Sequence, residues 1–197
     1  MVTMGDSIMH GSGAGWESGL VENCFAKVVA TYFGYELKNY GTNGTTIAEQ
    51  FEWRPTCSLC NYVEETYSAD VLLVAAGTND YGRSVEIGKE TDDCKSTLLG
   101  ALNIFFNKAN KKYKKIIVIT SIDRQDSNKL NDRGYSLQNY RDEIKKIALK
   151  FGAIVIDGLN IPIDANNKEE VPDGLHPNVK GQKIYAEYLV EKLKDML

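Results

Sequence analysis

The stretch VLLVAAGTND at residues 71–80 joins an uninterrupted apolar run to a short polar segment. The run is apolar at every position, which is typical of a strand buried on both faces of a parallel sheet. Residues 115–120 and 153–157 have the same character, and residues 2–4 and 36–40 are weaker candidates. The sequence therefore predicts a mostly parallel sheet whose strands are short and buried.

Helical patterns separate these strands. Apolar residues recur at intervals of three and four in four segments, namely residues 20–32, 98–106, 140–151 and 184–197. Alternation of buried strands with amphipathic helices predicts the α/β class, as a three-layer α/β/α sandwich with a flavodoxin-like arrangement. A chain of 197 residues is the size of one domain, so we expect residues 1–197 to form a single domain.

Composition excludes several classes of function. The chain has 23 basic and 27 acidic residues, a net charge of −4, which argues against nucleic-acid binding through broad phosphate neutralisation. No stretch approaches the roughly 20 apolar residues of a membrane span. The first residues lack the pattern of a signal peptide, which leaves two locations open: the cytoplasm, or a mature or excised part of an exported protein. The oligomeric state cannot be derived from these features.

Polar segments follow the predicted strands, where ligands bind in open α/β sheets. They are Gly5-Asp-Ser-Ile8, Gly41-Thr-Asn-Gly44 and Gly77-Thr-Asn-Asp80, and Asp173-Gly-Leu-His176 precedes the last helix. Together they supply a serine, a histidine, carboxylates and amides, which are the groups that acyl transfer needs.

With these four motifs in this order, the sequence resembles the SGNH hydrolases, also called GDSL-type esterases and lipases. The motifs are G-D-S-I at 5–8, N-x-x-x-x-G at 39–44, G-T-N-D at 77–80 and D-G-L-H at 173–176, and the resemblance covers nearly the whole chain. It implies a serine esterase or acylhydrolase that cleaves carboxylic esters through an acyl-enzyme and requires no metal or organic cofactor.

The resemblance also implies roles for individual residues. Ser7 would be the nucleophile, His176 the general base and Asp173 the carboxylate that orients the imidazole. The oxyanion hole would consist of the Ser7 amide, the Gly44 amide and the Asn79 side chain. The residues alone leave alternatives open: Ser7 as a helix N-cap, Asn79 as an Asx-turn residue, and a neighbouring glycine in place of Gly44.

The substrate class is less constrained. No long apolar groove is evident in the sequence, which favours a short acyl group, such as acetyl on a carbohydrate, and a small-molecule or carbohydrate ester as the partner. A thioesterase or lysophospholipase for longer chains is the first alternative. Two other proteins of this general architecture compete: a catalytically silent carbohydrate-binding module and a nucleotide-binding flavodoxin-like protein, although the phosphate-binding fingerprints are missing.

Several further residues have an open interpretation. His10 is a rival base or a substrate contact, whereas Asp6 and Asp80 are expected to organise their loops. Cys57 and Cys60 lack the additional ligands of a zinc site and are interpreted as loop cysteines, disulfide-bonded if the protein is exported. Aromatic residues and arginines could bind a sugar or pack the loops: Trp53, Arg54, Tyr62, Tyr67, Tyr81 and Arg83.

Overall fold

A five-stranded parallel sheet forms the centre of the computed structural model, which describes residues 1–14, 22–50 and 58–197. The strands are β1 Val2–Gly5, β2 Lys38–Gly41, β3 Ala69–Ala75, β4 Tyr113–Ile119 and β5 Ile154–Ile156. Their order in the sheet is β2-β1-β3-β4-β5, and each neighbouring pair is parallel. The carboxyl ends of all these strands therefore lie along one edge of the sheet.

Long and short helices connect the strands. In the described residues, four α-helices have eight or more residues: α2 Phe25–Tyr32, α5 Leu98–Ala109, α6 Leu137–Lys150 and α7 Val179–Leu193. Three α-helices in the same ranges have one turn: α1 Ser7–His10, α3 Leu59–Tyr62 and α4 Thr78–Gly82. The long helices correspond to the four predicted segments, but the one-turn helices are too short to show a periodic apolar pattern.

The side chains of β3 point alternately into two separate hydrophobic cores. Val71 and Leu73 face one core, where the buried side chains of α2 and α7 pack. Leu72 and Val74 face the other core, together with α3, α5 and α6. The sheet thus has helices on both faces, and the predicted three-layer α/β/α sandwich is confirmed.

The element boundaries differ from the sequence prediction by a few residues. Helix α7 ends at Leu193 rather than at the end of the chain, and β3 begins at Ala69, two residues before the apolar run. Residues 20 and 21 of the predicted stripe before α2 lie outside the described residues. Within the described ranges, no helix combines the length and the apolar character needed to cross a membrane.

Two glycines allow the chain to turn sharply at the carboxyl edge. A Cβ atom added to Gly5 would lie 2.2 Å from the carbonyl oxygen of Ala75, so β1 can approach β3 only with glycine there. Gly77 has a φ angle of 116°, in the region that favours glycine, and it carries the chain from β3 into α4. These turns place Ser7 and Asn79 just beyond neighbouring strands.

The central strand offers a direct test of core packing. We expect Leu72→Ala to lower the free energy of unfolding by about 2–5 kcal/mol, because the Leu72 side chain is fully buried and its loss leaves a cavity. Urea denaturation measures this change. Leu149→Ala is the matched control, since Leu149 is 55% exposed and the same truncation there should change stability by about 0.5 kcal/mol or less. Equal effects of the two substitutions would contradict the assignment of Leu72 to the core.

Candidate active site

The hydroxyl of Ser7 faces the imidazole of His176 across the carboxyl edge of the sheet. Ser7 is the first residue of α1, and its Oγ lies 2.9 Å from Nε2 of His176, although 169 positions separate the two residues in the chain. Asp6 caps α1 by accepting a hydrogen bond from the Ile8 N–H, so Ser7 itself is not the N-cap. The Ser7 side chain is therefore left to contact the histidine.

The Asp173 carboxylate holds both the backbone and the ring of His176. Its Oδ1 accepts hydrogen bonds from the N–H groups of Leu175 and His176, and its Oδ2 lies 2.6 Å from Nδ1 of the His176 ring. Burial raises the pKa of the Asp173 carboxyl, but the hydrogen bonds from His176 and Leu175 outweigh burial and lower that pKa to about 2. Asp173 is therefore ionised at neutral pH.

An ionised Asp173 determines which nitrogen of His176 carries the proton. A carboxylate can only accept hydrogen bonds, so the neutral imidazole must place its proton on Nδ1, the nitrogen that faces Oδ2. The lone pair of Nε2 then points at the Ser7 hydroxyl. This is the protonation state in which a histidine can take a proton from a serine.

Two further predicted site residues line the cavity in front of this pair. Gly44 and Asn79 line the same cavity as Ser7 and His176. Gly44 has a φ angle of 78°, and one N–H of the Asn79 amide donates to the Thr45 carbonyl at 2.9 Å, which orients the amide. Gly41, the alternative glycine, packs elsewhere, because a Cβ added to it would lie 2.5 Å from the His10 backbone nitrogen.

Asp80 fixes the loop beyond β2 from its place in α4. Its carboxylate accepts hydrogen bonds from the backbone N–H groups of Ile47 and Ala48 at 2.9–3.1 Å. Burial raises the pKa of Asp80 to about 6 in spite of these bonds. Asp6 is also buried, and burial raises its pKa to about 6. Both carboxyls hold loops in place, as the sequence analysis expected.

Asn39 and Gln182 connect the elements that carry the site. The Asn39 amide accepts from the Thr3 hydroxyl and the Gly41 N–H, and it donates to the Met9 carbonyl, which ties β1, α1 and β2 together. The fully buried Gln182 accepts from the Phe25 N–H and donates to the Ile8 carbonyl, which ties α7 to α1 and α2. The sequence analysis used Asn39 only for its spacing and did not identify Gln182.

The cavity in front of Ser7 has a volume of about 570 Å³ and includes residues that the sequence analysis missed. The Ser12 hydroxyl donates to Oδ1 of Asn43 at 2.8 Å, and both residues line the cavity. Gly13 lies against the backbone of His176 and Pro177, where an added Cβ would be 2.9 Å from the Pro177 carbonyl oxygen. Asn43 lies within the polar segment 41–44 of the sequence analysis, whereas Ser12 and Gly13 lie four and five residues beyond the segment 5–8.

Other candidates lie away from this cavity or outside the described residues. Nδ1 of His10 lies 3.0 Å from the Gly41 carbonyl oxygen, and His10 does not line the cavity in the described part of the chain. The Tyr81 ring is buried, whereas Cys57, Trp53 and Arg54 fall outside the described residues. In residues 1–14, 22–50 and 58–197, no three His, Cys, Asp or Glu side chains are grouped to hold a metal ion.

Comparison with known proteins places this geometry in context. Residues 3–184 match the GDSL-like lipase/acylhydrolase family. An acetylxylan esterase of Xylanibacter ruminicola is 26% identical over 181 residues, which cover 82% of this chain and 36% of that protein. The chain thus spans about a third of the length of this curated relative.

Solved structures share the fold over the full length of the chain. A possible lipase from Chitinophaga pinensis superimposes with a TM-score of 0.75 at 21% identity, covering 99% of this chain and 97% of that one. A carbohydrate acetylesterase family member from Sinorhizobium meliloti superimposes with a TM-score of 0.66 at 15% identity, covering 100% and 98%. At these identities, the likeness establishes a common fold.

The raised pKa of Asp80 predicts how stability depends on pH. The folded protein binds the Asp80 proton more tightly than the unfolded chain, whose pKa is near 3.8. The stabilisation that comes from the protonated Asp80 carboxyl is therefore complete below pH 3.8 and is lost as pH rises through 6. Asp80→Asn removes this titration and keeps an amide oxygen for the bonds from Ile47 and Ala48.

Between pH 4 and pH 7, titration of Asp80 should lower the unfolding free energy of wild type by about 2–3 kcal/mol. The Asp80→Asn protein should not show this part of the decrease. Urea denaturation at a series of pH values measures this. Asp132→Asn is the control, because Asp132 is exposed and the change there should leave the pH dependence unaltered. Identical pH profiles for wild type and Asp80→Asn would contradict the assignment.

Proposed function

This chain belongs to the GDSL-like lipase/acylhydrolase family, a family of ester-bond hydrolases, and we propose that it is a serine esterase acting on short acyl esters of carbohydrates. In this proposal one domain, residues 1–197, carries the complete site. The observation that carries it is the continuous chain of contacts from the Asp173 carboxylate through the His176 ring to the Ser7 hydroxyl.

The geometry supports nucleophilic attack by Ser7. As its Oγ forms a bond to the ester carbonyl carbon, Nε2 of His176 takes the hydroxyl proton, and Asp173 stabilises the imidazolium that results. The tetrahedral intermediate collapses when the bond to the alcohol oxygen breaks, and His176 gives the proton to that oxygen. Water then attacks the acyl-enzyme with His176 again as the base, which regenerates Ser7 and releases the acid.

We assign three donors to the oxyanion hole. The N–H of Ser7 stands at the first position of α1, where a helix offers no acceptor of its own. The Gly44 N–H and the second N–H of the Asn79 amide complete the set proposed here. Donors that are already held in place stabilise the developing charge without a cost of reorganisation during the reaction.

The described lining of the cavity favours a short acyl group. Among the described lining residues, only Pro172 and Leu175 contribute apolar side chains, whereas Ser12, Asn43 and Asn79 contribute hydroxyl and amide groups. A long acyl chain would leave its methylene groups in contact with polar groups and water, which forgoes about 0.8 kcal/mol for each CH₂ that stays unburied. The names of the acetylxylan esterase and the carbohydrate acetylesterase relatives support acetyl as the acyl group.

Hydrolysis of p-nitrophenyl esters from acetyl to palmitoyl tests this function. We expect the highest kcat/KM with the acetyl ester and a decline with longer chains. Ser7→Ala should lower kcat by about 10⁵-fold or more because it removes the nucleophile. Ser68→Ala is the matched control: Ser68 is exposed, and its loss should leave turnover unchanged.

Each other outcome favours a different function. A maximum with long acyl chains would support a lipase, thioesterase or lysophospholipase. Turnover that persists in Ser7→Ala would exclude the serine mechanism. Absence of Ser7-dependent turnover with all p-nitrophenyl esters and with acetylated oligosaccharides would overturn the esterase proposal and favour a silent carbohydrate-binding module.

Removal of one oxyanion donor should act on kcat rather than on KM. We expect Asn79→Ala to reduce kcat for p-nitrophenyl acetate about 10²–10³-fold, since the amide would stabilise charge that exists only in the transition state. Asn166→Ala, on an exposed turn, controls for a general effect of replacing asparagine. A kcat within about threefold of wild type would remove Asn79 from the proposed oxyanion hole.

A further inference from the structure

A second cavity, of about 590 Å³, adjoins the cavity in front of Ser7. Asp173 and Leu175 line both cavities, so the segment that carries the histidine forms the boundary between them. The second cavity is also lined by four polar side chains from the segment between β4 and α6, and we therefore name it the β4–α6 cavity. These residues are Arg124, Gln125, Asp126 and Lys129.

The proposed reaction determines which part of the substrate lies near the β4–α6 cavity. The alcohol oxygen must lie close to Nε2 of His176, because it receives the proton from this nitrogen as it leaves. The alcohol part of the ester is therefore on the His176 side of the cleft, whereas Gly44 and Asn79 hold the carbonyl oxygen. Since the two cavities share Asp173 and Leu175, an alcohol that extends past this segment would enter the β4–α6 cavity.

We propose that the β4–α6 cavity binds a neutral sugar unit of the alcohol part, next to the sugar that carries the acyl group. This inference rests on the proposed esterase function and specifies its substrate as an acylated oligosaccharide rather than a monosaccharide ester. The cavity contributes affinity and positioning for this substrate and takes no part in the bond-breaking steps.

The side chains of the cavity suit hydroxyl groups rather than a charged ligand. The Arg124 guanidinium contacts both carboxylate oxygens of Asp126, with Nε at 2.5 Å from Oδ1 and Nη2 at 3.3 Å from Oδ2. The charge of Asp173 is paired with the Nδ1–H of His176. With Lys129 as the second cation, two positive and two negative side chains line the cavity, and their formal charges cancel.

The Asp126 carboxylate is 40% exposed and has lone pairs beyond those that accept from Arg124, and each hydroxyl of a sugar ring both donates and accepts a hydrogen bond. Gln125 adds an amide with the same dual character. An anionic ligand would instead have to compete with Asp126 for the guanidinium of Arg124. The geometry therefore favours a neutral polyol.

The segment that supplies these groups is already fixed in position. The Tyr81 hydroxyl lies 2.7 Å from the Asp126 carbonyl oxygen and 3.0 Å from that of Lys129. The Gln125 N–H donates to the Gly174 carbonyl at 2.9 Å, and a Cβ added to Gly174 would lie 2.6 Å from Oε1 of Gln125. The two walls of the cavity are thus directly bonded, so little conformational freedom has to be lost when a sugar binds.

Three acetyl esters distinguish sugar binding in the β4–α6 cavity from an effect on the catalytic centre. They are p-nitrophenyl acetate, mono-acetylated glucose and mono-acetylated cellotetraose. The variant is Gln125→Ala combined with Lys129→Ala, which removes two polar side chains from the cavity. Arg124 stays unchanged because its Nη1 also contacts Thr78, the neighbour of Asn79. The control combines Gln138→Ala with Lys168→Ala, two exposed residues that do not line the cavity.

We expect the variant to lower kcat/KM for acetylated cellotetraose about tenfold, mostly through a higher KM, because two hydrogen-bonding side chains are lost. Its kcat/KM for p-nitrophenyl acetate and acetylated glucose should stay within about twofold of wild type. The control variant should match wild type with all three esters. This pattern separates a sugar-binding role from a general effect on folding or on Ser7.

Other results would overturn the inference. Equal losses with all three esters would mean that the residues support the catalytic centre, and no loss with any of them would mean that no sugar binds there. Preference for an acetylated oligosaccharide that carries uronic acids, lost in Lys129→Ala alone, would show an anionic ligand instead. If wild type hydrolyses p-nitrophenyl acetate but neither sugar ester, this inference fails while the esterase chemistry stands; if it hydrolyses none of the three esters, the proposed function itself fails.

Discussion

The close approach of β1 to β3 is the constraint on which the rest of the site depends. Gly5 pairs with Ala75 in the sheet, and the space above Gly5 is filled by the Ala75 carbonyl oxygen. Any side chain at position 5 would push the strands apart or tilt the start of α1. Since Ser7 and Asn79 follow the two strands after two and four residues, a shift of about 1 Å here would be transmitted directly to the hydroxyl and the amide, which is enough to impair positioning.

Much of this arrangement could be predicted from the sequence, for reasons that the structure makes clear. The run 71–76 alternates between two cores, so every position has to be apolar, and this produced an unambiguous strand signal. Parallel strands bring their carboxyl ends to one edge, which is why polar segments far apart in the chain could be expected to meet. The spacing of three residues between Asp173 and His176 allows one carboxylate to contact both the backbone N–H and the ring of His176. The contact between these two residues could therefore be predicted from the motif alone.

The site residues that the sequence analysis did not identify are positioned by contacts that no local sequence pattern specifies. Ser12 and Asn43 meet across two loops, and Gln182 joins three helices from a position that looks like an ordinary surface residue of α7. The Arg124–Asp126 pair in the β4–α6 cavity follows a strand, as the other polar segments do. It was not identified because its relation to the site exists only through the contact between Gln125 and Gly174. Tertiary packing, rather than sequence spacing, decides these positions.

Three carboxyl groups near the site show how environment divides their roles. Asp173 receives hydrogen bonds from two backbone N–H groups and from an imidazole, and these lower its pKa to about 2 in spite of burial. Asp6 and Asp80 also accept backbone N–H groups, yet burial is the larger influence there and raises the pKa of each to about 6. The difference is exposure: the Asp173 side chain remains 56% exposed, whereas Asp80 is fully enclosed. In the proposed mechanism the Asp173 carboxylate stabilises a transient imidazolium and has to stay ionised, which its partly solvated position favours. The enclosed positions of Asp6 and Asp80 suit groups that only hold loops.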